Sequence, residues 1–150
     1  MKKLILVFSV LCIAADYNNK NLPEISKNRS SISQPFGNGT LTRRSDGSSS
    51  YTRPFGNGSI TTETNKSGKS VTGITKPFGN GSITQWNNGT TTTSQKFGNG
   101  QIVTNKNPNE KTTTGIVRPF GNSTITKWNN GTSNVNTKFG NGSINSDTRK

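Results

Sequence analysis

Pro77-Phe78-Gly79-Asn80-Gly81-Ser82-Ile83 decides how this chain is read. Close variants recur six times, starting at Pro35, Pro54, Pro77, Lys96, Pro119 and Lys138, at alternating intervals of 19 and 23 residues. The true period is therefore a 42-residue pair of arms, one short and one long. Asn-Gly is the strongest short signal for a two-residue hairpin turn, because both central positions of a type I′ turn need positive φ. With Asn80-Gly81 as that turn, Phe78 faces Ile83 directly across the strand pair. The same geometry sets Phe36 against Leu41, Phe55 against Ile60, Phe97 against Ile102, Phe120 against Ile125 and Phe139 against Ile144. An aromatic opposite a branched aliphatic contributes about 0.2–1 kcal/mol, so this ladder is the expected core and the expected basis of self-association. The fifth copy reads Pro119-Phe-Gly-Asn-Ser123, and losing the second glycine predicts a poorer turn.

Each short arm carries a second turn signal, at Asp46-Gly47, Asn88-Gly89 and Asn130-Gly131, flanked by Thr-rich runs. Two turns per arm between short β-prone runs predict an all-β fold of antiparallel hairpins. The arms span 35–53, 54–76, 77–95, 96–118, 119–137 and 138–150. They could lie in plane as a meander or stack as a β-solenoid, since repeats unable to bury a face alone do so against neighbours. The four extra residues of the long arms fall near Asn65–Lys69 and Asn107–Lys111, predicting longer loops on one side. The composition, one quarter hydrophobic with a formal charge of +13, also fits a chain with substantial disorder.

Upstream, residues 1–15 have the layout of a secretory signal peptide: Lys2 and Lys3, an apolar run from Leu4 to Ile13, then Ala14 and Ala15. That run is too short for a transmembrane helix, which needs about 20 residues, and no other transmembrane segment is evident. Cleavage there predicts a secreted, extracellular chain and removes Cys12, the sole cysteine, so no disulfide framework is expected. Residues 16–34, polar and interrupted by Pro23, read as a flexible lead-in. The tail ending Asp147-Thr-Arg-Lys150 reads as a frayed stop.

Enzyme chemistry is not expected. The chain has no His, no mature Cys and six scattered acids; Glu63, for instance, becomes Asn105 one period later, so paired carboxylates do not recur. The same shortage excludes metal sites and cofactors. Basic residues recur before the Phe motif as Arg53, Lys76, Lys96, Arg118 and Lys138. A row of them suits an anionic polysaccharide or an anionic surface, or else keeps open sheet edges from pairing. Nucleic acid suits the charge but not a secreted chain. Trp86 and Trp128 stand before the second turns (with Arg44 in the first arm), either packed across strands or exposed to stack on a sugar ring. Asn-x-Ser/Thr triplets at Asn28, Asn38, Asn57, Asn65, Asn80, Asn88, Asn122, Asn130 and Asn141 are N-glycosylation acceptors in a host with the machinery.

Two functions follow as expectations. One is a non-enzymatic structural or adhesive component of an extracellular coat, silk, cuticle or matrix. The other is a secreted cationic antimicrobial or effector protein that binds anionic microbial surfaces or polysaccharide. No amphipathic apolar face is evident to support the second.

Overall fold

The computed structural model describes residues 28–148, all in antiparallel strands and their connections. The first repeat gives β1 (Asn28–Phe36), β2 (Gly39–Arg44), β3 (Ser49–Phe55) and β4 (Gly58–Thr64). The second gives β5 (Ser70–Phe78), β6 (Gly81–Trp86), β7 (Thr91–Phe97) and β8 (Gly100–Lys106). The third gives β9 (Thr113–Phe120), β10 (Ser123–Trp128), β11 (Ser133–Phe139) and β12 (Gly142–Thr148). Every strand pairs with its sequence neighbours, and β1 pairs with β12, so the meander closes into a twelve-stranded barrel. The all-β hairpin expectation holds, as a closed meander and not a solenoid. The expected signal peptide, Cys12 and the lead-in up to residue 27 lie outside the described residues. There is no helix among the described residues, hence none long and apolar enough to cross a membrane.

Closure changes the reading of both chain ends. Residues 28–34 are not a lead-in but most of β1, with Ile32 opposite Ile144. Asp147 is not frayed; it is a buried residue of β12. Closure also leaves no open edge, so edge protection does not account for the recurring cations.

All six Phe-Gly-Asn turns lie at one end, the rim, and the other connections lie at the far end. The ladders place Phe78 opposite Gly81 and Ile83 opposite Lys76, so the two central turn residues are Gly79 and Asn80. The turn is thus displaced by one residue and the expected Phe/Ile pairing by two in every hairpin: Phe36 faces Gly39 and Leu41 faces Gln34, and Ile60 faces Arg53. Ile102 faces Gln95, Ile125 faces Arg118, and Ile144 faces Thr137. The first glycine of each copy carries the positive φ, 56° at Gly79, as a primed turn needs at its first central position. The second glycine has a different task. A Cβ on Gly81 would lie 1.7 Å from the Ser94 carbonyl oxygen, and Gly39, Gly58, Gly100 and Gly142 meet the next hairpin in the same way. Ser123 breaks that pattern, and there alone among the six the ladder to the next hairpin runs on to the first strand residue, Ser123 opposite Thr137. The missing glycine therefore alters the contact between hairpins and leaves the turn itself intact.

At the far end, Gly47, Gly89 and Gly131 sit at φ of 83 to 85°, where the sequence places turns. Each amide bonds back three residues, as Gly89 N–H does to Trp86 O at 3.0 Å. That is the three-residue loop in which a type I turn precedes a left-handed glycine. The four extra residues of the long arms are shared between strands and connection. Three lengthen strands in the first repeat, where β4 and β5 have 7 and 9 residues against 6 and 7 in β2 and β3. Two do so in the second, where β8 and β9 have 7 and 8 against 6 and 7 in β6 and β7. No long loop projects.

Alternation along each strand separates an inner and an outer face. Inside stand small polar side chains, with Ser31, Ser33, Thr42, Thr84, Thr92, Ser94, Asn134 and Asn145 buried. Hydroxyls pair across hairpins at one level: Ser33 with Thr42, Thr52 with Thr61 and Thr75 with Thr84, each at 2.8 Å. The only buried hydrophobic side chains among the described residues are Trp86 and Val103. Outside stand the Leu and Ile residues, paired across junctions between hairpins: Leu41 with Tyr51, Ile60 with Ile74, Ile102 with Ile116, Ile125 with Val135 and Ile144 with Ile32. The barrel is polar within and carries its apolar belt on the outer wall.

Candidate interaction surface at the phenylalanine rim

Phe36, Phe55, Phe78, Phe97, Phe120 and Phe139 end their strands on the outer face, and each is 49 to 70% exposed. They form no core. They are a ring of apolar side chains around one mouth, with Phe36 alone touching an aromatic neighbour, edge-on to Tyr51 at 5.9 Å between centroids. Their exposure follows from register: opposite each Phe the ladder offers glycine or, at Phe120, Ser123.

The recurring cations divide by parity. Arg53, Lys76 and Arg118 share the outer face with the Phe two residues on. Lys96 and Lys138 occupy the position held elsewhere by Pro35, Pro54, Pro77 and Pro119, on the inner side of the mouth. All five are exposed, so they do not form one row; they bracket the Phe ring from both sides. No acid accompanies them. Of the acids in the described residues, Glu63 and Asp147 are buried inside the barrel, and Asp46 and Glu110 lie in far-end connections. The acids are thus confined to the far half of the barrel, where Arg29, Arg44, Lys66, Lys69 and Lys111 also lie, and the rim is the end that carries cations alone.

The far end carries an interior polar layer that repeats with the period of the chain. In the first unit the Arg44 guanidinium donates to Glu63 Oε1 at 3.3 Å and to Ser50 Oγ at 3.4 Å. In the second, the Thr92 hydroxyl donates to Asn105 Oδ1 at 2.8 Å. In the third, Trp128 Nε1 donates to Asn134 Oδ1 at 2.6 Å, and the Asn134 amide donates to Asp147. Glu63 and Asp147 hold the same place two periods apart, a recurrence hidden by reading the tail as frayed. Burial pushes the Glu63 carboxyl up to about 7, against the pull of the Arg44 charge beside it. Desolvation also opposes ionisation of Asp46, yet the Ser48 hydroxyl and amide, with Arg29 at 3.0 Å, hold its carboxyl below the ordinary value. The lumen offers about 310 Å³, lined by hydroxyls with Trp86, Gln101 and Lys96, and a second hollow of about 350 Å³ is lined by Ile32, Gln34, Arg43 and Ser45.

Both tryptophans belong to this interior. Trp86 is 8% exposed, and it lies opposite Gly73, whose added Cβ would meet the indole at 2.8 Å. Trp128 sits likewise on Gly115. Cross-strand packing is the role the geometry gives both, with Trp86 buried and Trp128 partly exposed on the inner face. Of the sequon asparagines, Asn38, Asn57, Asn80, Asn122 and Asn141 are exposed turn tips on the rim. Asn65, Asn88 and Asn130 accept backbone N–H bonds in far-end connections, and Asn28 opens β1.

Comparison with known protein families, curated proteins and solved structures finds no match. The reading of function therefore rests on the rim, the wall and the charge they carry.

Proposed function

We propose that this is a secreted, non-enzymatic cationic protein that attaches to anionic surfaces through its phenylalanine rim, as an antimicrobial or effector protein does. One observation carries the reading: six half-exposed Phe and five cations ring one end of the barrel, and no acid of the described residues lies there. Exposed apolar groups that recur on one side of a soluble protein mark an interaction site. The apolar face that periodicity at the helical spacing does not reveal is supplied by the strand spacing instead. A cation near a charged membrane surface contributes about 1 kcal/mol. Five give on the order of 5 kcal/mol, between millimolar and micromolar affinity, so the Phe ring has to add to the binding.

A second reading, self-association as an adhesive or structural component of a coat, silk, cuticle or matrix, is favoured by the aliphatic belt on the outer wall. Against it, rim-to-rim contact would bring like charges together, and Arg53, Lys76 and Arg118 interrupt the belt. Retention on dextran sulfate but not on neutral dextran, weakening as salt rises, is the expected behaviour of the mature chain. Equal retention on both matrices refutes the anionic-surface reading. Growth into large species in sedimentation velocity without any polyanion would favour self-association.

A further inference from the structure

We infer that the anionic surface taken by the rim is the interface of a lipid bilayer, entered rim-first and shallowly; this rests on the preceding reading of the rim. A hydrated polyanion can neutralise the five cations, but it offers nothing apolar to six phenyl rings arranged all round a mouth. A bilayer interface offers both. The spacing of the two groups suits it. Arg53, Lys76 and Arg118 lie two residues behind Phe55, Phe78 and Phe120 on the same outer face, about 7 Å along an antiparallel strand. Apolar faces that lie in the interface are buried about 5–10 Å into the boundary between headgroups and acyl chains. With the phenyl rings at that depth, the outer cations stand at the level of the phosphates. Between the Phe residues, the Gly-Asn tips carry no charge.

The barrel stands on the bilayer and does not pass through it. Ten of its twelve strands have six to eight residues, whereas a spanning strand needs about 9–11. Farther from the rim the outer wall also carries Arg43, Lys106 and Lys127, where a spanning barrel needs an unbroken apolar band about 25 Å tall.

Trp86 and Trp128, at the far end, provide an internal reference. The native chain and a Phe97→Trp variant are mixed with phosphatidylcholine vesicles with or without phosphatidylglycerol, some carrying brominated acyl chains. In parallel, both are mixed with dextran sulfate. Both should float with the phosphatidylglycerol vesicles only. Bromine should quench the indole introduced by Phe97→Trp and leave the native emission unchanged. The exposed-residue triple variant Arg53→Gln, Lys76→Gln, Arg118→Gln should keep the melting curve and bind these vesicles about a hundredfold more weakly. Binding to dextran sulfate and to vesicles without quenching overturns insertion and leaves the anionic-surface reading standing. Binding to neither overturns both. Release of a trapped dye, with quenching of the native tryptophans, overturns the shallow seat in favour of a spanning barrel.

Discussion

At the residue scale, a single hydrogen atom sets how closely neighbouring hairpins approach. Gly81, Gly58 and their equivalents meet the next hairpin's carbonyl oxygen at distances no methyl group tolerates. Gly81→Ala should therefore destabilise the barrel by about 1–3 kcal/mol, the usual range for overpacking, read as a lower urea midpoint. Ser123→Gly, at the one position already relieved of that contact, should move the midpoint by no more than about 0.5 kcal/mol. A large loss there would contradict the geometry. The buried Glu63 gives a second expectation. Below its ordinary value of 4.5 the carboxyl is protonated in both states and imposes no penalty. As pH rises toward about 7 the unfolded chain releases that proton first, the folded chain holds more protons, and stability falls. At about 1.4 kcal/mol per unit the loss is on the order of 3 kcal/mol, a balance in which the pull of Arg44 and Arg29 is already included. Glu63→Gln should flatten stability over that pH window; an unchanged slope in the variant would assign the loss to another group.

At the scale of the hairpin, stabilisation comes from pairs that join one hairpin to the next. Ile60 and Ile74 are direct partners on the outer face, and a double-mutant cycle to Ala should give a coupling of about 0.5–1 kcal/mol. The cycle for Phe55 and Ile60, which the ladder sets diagonally, should give less; the reverse order would restore the register expected from Asn-Gly turns. That register shows where sequence reading stops. The repeat, the strands and the turn positions were legible because Gly and Asn punctuate them locally. Within Phe-Gly-Asn-Gly, however, both Gly-Asn and Asn-Gly satisfy a primed turn. The choice falls to a contact outside the hairpin, the space the second glycine must leave for its neighbour. Which face turns inward was equally undetermined, since alternation is the same seen from either side. The strand in residues 28–34 did leave a signal: Ile32 precedes Phe36 by the same interval that separates Ile74 from Phe78 and Ile116 from Phe120. The rim cations were legible as a recurrence, but their division between outer wall and mouth depends on Lys taking the place of Pro at two copies.

For the molecule as a whole, closure is what lets so little buried hydrophobic surface hold together. With only Trp86 and Val103 buried among the hydrophobic residues described, order depends on ladder hydrogen bonds that have no unpaired edge and on paired hydroxyls within. Deleting residues 139–150 removes β12 and exposes the edges of β1 and β11. The shortened chain should lose its cooperative unfolding transition and aggregate, as open edges do; a sharp transition in a soluble monomer would show that closure is dispensable. The pairing of Asn28 with Thr148 has a further meaning. The two ends of the barrel meet where, in the other repeats, residues 65–69 and 107–112 connect one unit to the next. A ring of this kind has no first strand. Begun at Ser70 and ended at Thr64, with a short link from Thr148 to Asn28, the same residues would trace the same wall, so the order in which they are encoded is one of three circular permutations that the architecture treats as equal.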